Sequence, residues 1–363
     1  MKKLTLLSFM MCCLTSVFSQ NREIINAIEN NNITDKEANV IFNQIKFFPD
    51  GTQVSIAFIE SRITNFIGLK KENDSVFIVD NKDKIFEIGS LTKVFTATLL
   101  GNIIQDGQIK LDEPINKYLD TKINTDKTIT FKQLANHTSG LPRLPLNLNL
   151  FTADPNNPYK NYDAEHLKSY LTGDVKLNNE PGSAYEYSNL GAGLLGYILT
   201  QISDSSYEQL LQNYIFSKYK MMNSTTDIDK IKANLIKGLN AQGYETPNWD
   251  LNSLVAAGGI YSSVQDLSKF ILAQFNADDL ALKATHQKTF EISDNMSIAL
   301  AWHIIKRPNG QKYLWHNGGT GGYTSSAVMN LDDNRAVIIL SNVSAFHPKS
   351  SNIDKLSIGL LDQ

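Results

Sequence analysis

Ile85-Phe86-Glu87-Ile88-Gly89-Ser90-Leu91-Thr92-Lys93-Val94-Phe95-Thr96-Ala97-Thr98-Leu99-Leu100 passes from a strand-like stretch, over one glycine, into an apolar run. If Ser90 starts a helix ending near Gly107, residues three apart share a face and Lys93 sits over Ser90. A serine is a poor nucleophile alone. An amine that loses its proton in a dry pocket can activate it, and the helix N-terminus favours negative charge there. A second Ser-x-x-Lys, Ser217 to Lys220, ends a polar amphipathic stretch with no glycine before it and no apolar helix after it. It reads as surface.

Strand patterns lie before this segment, at Val54–Ile59, Asn65–Leu69 and Ser75–Val79, behind a helical stretch over 22–48. They return late. Met296–Ile305 and Tyr313–His316 are candidates, and Tyr323–Asn330 with Arg335–Ser341 reads as a hairpin around Asp332-Asp333-Asn334. Val264–Phe275 and Ile353–Leu361 read as helices. Between Leu111 and Met222 strands fade, and helices such as Leu190–Ile202 and Tyr207–Tyr219 alternate with Asn- and Pro-rich loops. Gly140, before Pro142, suits a helix cap. The expected class is α+β, with one antiparallel sheet built from both chain ends and flanked by helices, plus an all-helical domain. Residues 20–110 and 223–363 form the sheet domain, and 111–222 the helical one.

The 363 residues are long for one domain, and 42% apolar with 20% charged is ordinary for a globular chain. A net charge of −3 gives a nucleic-acid partner no electrostatic support. Lys2 and Lys3, the apolar run Leu4–Phe18 and Val17-Phe18-Ser19 read as a signal peptide over 1–19, so the protein is expected to be exported to the periplasm or beyond, with no stable membrane span after cleavage. Both cysteines, Cys12 and Cys13, fall inside it. The mature chain would have neither disulfides nor thiol catalysis.

Two further segments carry chemistry. In Pro181-Gly182-Ser183-Ala184-Tyr185-Glu186-Tyr187-Ser188-Asn189, Tyr187 and Asn189 precede a helix. A tyrosine beside a cationic lysine can be held partly as phenolate and move a proton, while Asn189 can bridge Lys93 and a substrate carbonyl. Tyr159-Lys160-Asn161 matches the same spacing but leads into no apolar helix. Trp315-His316-Asn317-Gly318-Gly319-Thr320-Gly321-Gly322 ends a strand, and its glycines let a substrate approach backbone N–H groups that stabilise an oxyanion. No metal-ligand spacing and no Gly-x-Ser-x-Gly elbow occurs, and no cofactor is expected.

Gly89-Ser90-Leu91-Thr92-Lys93, then Tyr187-Ser188-Asn189, then His316-Asn317-Gly318 resemble, in this order, the three motifs of the serine β-lactamase and penicillin-binding-protein superfamily. The branch that looks similar holds class C β-lactamases, DD-peptidases and related esterases. His137-Thr138-Ser139-Gly140-Leu141-Pro142 and Gly258-Gly259-Ile260-Tyr261-Ser262-Ser263 resemble further landmarks, read as structural. The resemblance implies an acyl-enzyme on Ser90, proton transfer shared by Lys93 and Tyr187, and orientation of substrate by Asn189. It also implies a strand edge lined by His316, Asn317, Gly318 and Gly319, with the Ser90 and Gly319 amides as oxyanion donors.

The third motif departs from the Lys-Thr-Gly of class C β-lactamases. His316 is a weaker, pH-dependent cation and Asn317 replaces a hydroxyl. Both weaken the hold on the carboxylate that penicillins and D-Ala-D-Ala ends carry. The expected function is hydrolysis of an amide in a β-lactam or D-amino-acid peptide, the substrate being a small molecule or peptide. A carboxylic-ester hydrolase and a slowly acylating cell-wall sensor are the alternatives.

Overall fold

The computed structural model describes residues 34–73, 75–173 and 175–363. The leader expected over 1–19 and the start of the helix expected over 22–48 lie outside the described residues.

Strands β1 (Gln53–Glu60), β2 (Ile63–Glu72) and β3 (Ser75–Ile78) come early, and β4 (Phe86–Glu87) precedes Ser90. β5 (Gly238–Leu239), β6 (Glu245–Thr246) and β7 (Tyr261–Ser262) are short. β8 (Phe290–Ser293), β9 (Met296–Ile298), β10 (His303–Lys306), β11 (Lys312–Gly319), β12 (Thr324–Asn330) and β13 (Arg335–Ser341) come late. The helices are α1 (Asp35–Ile45), α2 (Thr92–Gln105), α3 (Phe131–Ala135), α4 (Ala164–Thr172), α5 (Asn189–Ser203), α6 (Tyr207–Leu211), α7 (Val264–Gln274), α8 (Leu280–Thr285) and α9 (Asn352–Leu361).

Nine strands form one antiparallel sheet in the order β3-β2-β1-β13-β12-β11-β10-β9-β8. Early and late chain meet at its centre, where Val54 pairs with Ser341 and Ile59 with Ala336. The α+β class read from the sequence is the class observed.

Both sheet faces are covered, which is why β12 and most of β13 are buried along their length. Ile56, Val328, Val337 and Ile339 face α1 and α9, which bring Ala38, Ile41, Ile45, Ile353, Leu356 and Leu360 onto that side. These helical residues recur every three or four positions, one stripe on each helix. A capping box between Thr34 and Glu37 starts α1. Ala57, Ile59, Ala327, Ile338 and Leu340 face the opposite core, which extends through α2, α5 and α7. Residues 92–103 of α2 are buried without interruption, so this helix is the central post of the molecule.

Three local expectations change. Met296–Ile305 is not one strand, because the chain turns at 299–302, with Ala301 at φ 63° and the Trp302 side chain fully enclosed. Burying that indole requires the chain to leave the sheet. The segment after Leu211 widens into a π-type turn, Gln212–Phe216, instead of continuing as α-helix to Tyr219. The left-handed residue that ends α3 is His137 at φ 59°, upstream of Gly140. No helix among the described residues is long and apolar enough to cross a membrane.

Candidate active site

Ser90 lies in a 3₁₀ turn, Gly89–Leu91, and α2 proper begins at Thr92. The serine therefore stands just before the helix and not on it, and Lys93 occupies the first turn. Lys93 is 1% exposed. Its Nζ lies 3.0 Å from Ser90 Oγ, 2.9 Å from Asn189 Oδ1 and 2.6 Å from the Ala257 carbonyl oxygen. Burial drives the Lys93 pKa well below its ordinary value, and the nearby Arg143 charge adds to this. A neutral amine has two N–H bonds and one lone pair. The amine reaches all three oxygens; on giving up a proton it would keep two N–H bonds for Ala257 and Asn189 and turn its lone pair to the Ser90 hydroxyl.

Asn189 and Tyr187 are placed by the start of α5. Ser188 caps this helix: its Oγ accepts from Gly191 N at 2.8 Å and donates to the Pro142 carbonyl at 2.7 Å. The Ser188 amide donates to His137 Nδ1 at 3.2 Å. The Tyr187 ring packs on His137, with centroids 4.5 Å apart, and Lys93 Nζ is 4.8 Å from its centre. Burial raises the Tyr187 pKa well above the ordinary phenol value, against a hydrogen bond with Ser90 and the Arg143 charge. This burial works against the phenolate expected from the sequence.

The end of β11 closes against the serine turn. A methyl group on Gly318 would sit 2.0 Å from the Ile88 carbonyl oxygen and 2.9 Å from the Ser90 amide nitrogen. One on Gly89 would sit 2.6 Å from the Gly319 nitrogen. Only glycine permits this backbone contact. Ser325 Oγ ties the same turn to β12 by donating to Ile88 O at 2.7 Å.

The three segments thus meet in one open cleft of about 500 Å³, lined by Ser90, Tyr187, Asn317, Gly318 and Gly319, among others. A sequence profile described as Beta-lactamase matches residues 80–357, which span the whole constellation. The chain belongs to the Beta-lactamase family.

Protein flp of Staphylococcus aureus (strain MW2) is 26% identical over 287 residues, covering 73% of this chain and 54% of that protein. Beta-lactamase-like protein 2 of Dictyostelium discoideum is 29% identical over 225 residues, covering 59% and 39% respectively. The chain spans about half the length of the Staphylococcus relatives it matches. A class C beta lactamase from Rhodobacter sphaeroides superposes with a TM-score of 0.74 at 19% identity, covering 91% of this chain and all of that one. The octameric penicillin-binding protein homologue from Pyrococcus abyssi gives 0.73 at 22% identity, covering 90% and 77%. These two likenesses are of fold.

Within this Beta-lactamase fold, the third segment differs from expectation at His316. Trp315 and Asn317 line the cleft, while His316 lies buried beneath it, its ring 5.6 Å from that of the cleft residue His303. His316 is 1% exposed, and burial, with His303 and Lys93 nearby, drives its pKa well below the ordinary imidazole value. It is a neutral interior group, not a cation. Its Nδ1 is 2.6 Å from the Asn317 carbonyl oxygen, so that nitrogen carries the proton.

Several cleft residues went unread in the sequence. Arg143 packs on the open side of Tyr187, 5.1 Å from its ring centre, and has no ion-pair partner among the described residues. Tyr185 bonds His303 Nε2 at 2.8 Å; burial pushes the tyrosine up to about 12 and the histidine down to about 4. Tyr159, which leads into no apolar helix, nevertheless reaches Asn189. Asp354 lines the cleft from α9. The second Ser-x-x-Lys is exposed at both Ser217 and Lys220. No cluster of His, Cys, Asp or Glu among the described residues could hold a metal ion.

Proposed function

We propose that this chain is a serine hydrolase that acylates Ser90, with Lys93 as general base. The observation that carries this is the buried Lys93 amine, 3.0 Å from Ser90 Oγ and held on its other sides by Ala257 O and Asn189 Oδ1. Ser90 Oγ attacks a substrate carbonyl carbon, and its proton moves to Lys93. The carbonyl oxygen becomes an oxyanion held by the Ser90 and Gly319 amides. As the intermediate collapses, the bond to the leaving group breaks. Tyr187, hydrogen-bonded to Ser90, hands over a proton and is refilled from Lys93. Water then attacks the acyl-enzyme by the reverse sequence, and the acid product leaves.

The substrates proposed are a β-lactam or a D-amino-acid amide, as the family relation favours, with a carboxylic ester as second reading. What favours the ester is the neutral His316, which leaves the third segment without a fixed positive charge for a substrate carboxylate. The helical lobe over 111–222, and export directed by residues 1–19, are part of the same proposal.

The experiment is covalent labelling followed by turnover. A fluorophosphonate should label the wild type and not Ser90→Ala, while Ser217→Ala labels normally. Equal labelling of wild type and Ser90→Ala refutes the assignment. Nitrocefin, a D-Ala-D-Ala peptide and p-nitrophenyl butyrate then rank the substrate classes, and stoichiometric labelling without turnover of any of them identifies a sensor.

A further inference from the structure

The cleft carries a negative group at the strand that would receive a substrate carboxylate. Asp354 stands in the first turn of α9. Its Oδ2 accepts from Asn317 Nδ2 at 2.7 Å and its Oδ1 from Trp315 Nε1 at 3.3 Å. The indole N–H, which can only donate, is shared between Asp354 and Ser326 Oγ at 3.2 Å, and the Asn317 amide turns its NH₂ to the acid, so Asp354 is placed as an acceptor. Burial raises the Asp354 pKa, and these bonds, with one from Ser326, work against that.

Two consequences follow for a ligand. One N–H of Asn317 is held by Asp354, so a second carboxylate bound to the same amide would lie beside the acid. The incoming anion would also face a like charge in a partly dry cleft, where the repulsion is stronger than in water. In penicillins and D-Ala-D-Ala peptides the carboxylate belongs to the leaving group. Arg143 is the other charged side chain at the cleft, and it is not paired with Asp354.

We propose that Asp354 is a specificity-determining residue that selects against leaving groups bearing a carboxylate and admits neutral or cationic ones. This rests on the acyl-serine reading of Ser90. It moves the preferred substrate away from penicillins and D-Ala-D-Ala ends, to the ester reading and to amides whose departing alcohol or amine is uncharged or positive.

The test uses three butyrate esters, of phenol, 3-carboxyphenol and 3-(trimethylammonio)phenol, with each kcat/KM divided by the ester's hydroxide rate. In the wild type the carboxyphenyl ester should be at least about tenfold poorer than the phenyl ester, and the cationic ester at least as good. Asp354→Asn should draw the three to within about threefold of one another, a change that lost packing alone would not produce. A wild type that accepts the carboxyphenyl ester as readily as the phenyl ester overturns the proposal, and so does a spread that survives Asp354→Asn. Loss of carboxyphenyl turnover in Arg143→Ala would show that the arginine receives the anion, and also overturns it. Should Asp354→Asn fail to fold, wild-type inhibition by phenylboronic acid against 3-carboxyphenylboronic acid decides the matter, with the acid expected to be at least about tenfold weaker. Fluorophosphonate labelling separates the two levels. An unlabelled Ser90 overturns the acyl-serine reading, whereas a labelled Ser90 with a flat ester series overturns only the role of Asp354.

Discussion

The Ala257 carbonyl oxygen accepts a hydrogen bond from the Lys93 amine at 2.6 Å, across 164 residues of chain. A main-chain acceptor cannot rotate away or change its protonation. It fixes one N–H of the amine and so helps to direct the lone pair at Ser90.

The pH profile should report this arrangement. Because burial depresses the Lys93 pKa, kcat/KM for a neutral ester should rise with pH through that depressed value and be flat well before pH 10. Lys93→Arg keeps a permanent proton and should lose about 10³-fold or more, with the acidic limb gone. A limb that climbs to the ordinary lysine range would show that the amine is cationic at neutral pH.

Tyr187→Phe separates the two proton carriers. Burial favours the protonated phenol, so in the proposed mechanism the tyrosine serves departure of the leaving group more than activation of the serine. Turnover of a poor leaving group should fall by about 10²- to 10⁴-fold. The acylation burst with p-nitrophenyl butyrate, whose leaving group needs no proton, should fall far less. Equal losses for both would make Tyr187 the base.

Gly318→Ala tests the backbone contact between β11 and the serine turn. The added methyl would lie 2.0 Å from the Ile88 oxygen, so the strand end or the turn must move. We expect about 1–3 kcal/mol of destabilisation in urea melts. We also expect a loss of kcat larger than the rise in KM, because the oxyanion position is disturbed. An unchanged kcat would separate this contact from catalysis.

Glu87, three residues before the serine, gives a stability signature. Burial pushes its pKa from 4.5 up to about 7, against bonds from Thr320, Asn248 and the Trp249 amide. The folded state therefore binds the proton more tightly than the unfolded chain. This contribution is complete below about pH 4.5 and is lost as pH rises through about 7. Across that window the stability of the wild type relative to Glu87→Gln should fall by about 3 kcal/mol. Urea melts at pH 4.5 and 8 measure it, and parallel curves for the two proteins would contradict it.

Ser90 and Lys93 were legible because helical spacing is a local property, and the β12–β13 hairpin because alternation and the polar turn at 332–334 are local too. Asn189 was legible through its place at a helix start. The Ala257 acceptor carries no side-chain signature, so no reading of residue types could find it. Asp354 sits in a segment whose apolar stripe drew attention to its other face. Burial works against the two charged forms expected, a Tyr187 phenolate and a His316 cation, and enclosure by distant segments is not legible from residue types.

The closing helix α9 has two surfaces with different duties. Ile353, Leu356 and Leu360 seal the back of the sheet, while Asp354 turns toward the cleft. On the role proposed for Asp354, substrate choice and structural integrity share ten residues, Asn352–Leu361. A chimera that exchanges this one segment with a relative would transplant charge preference and sheet cover together, which makes the C-terminal end the natural place to re-engineer what the protein accepts.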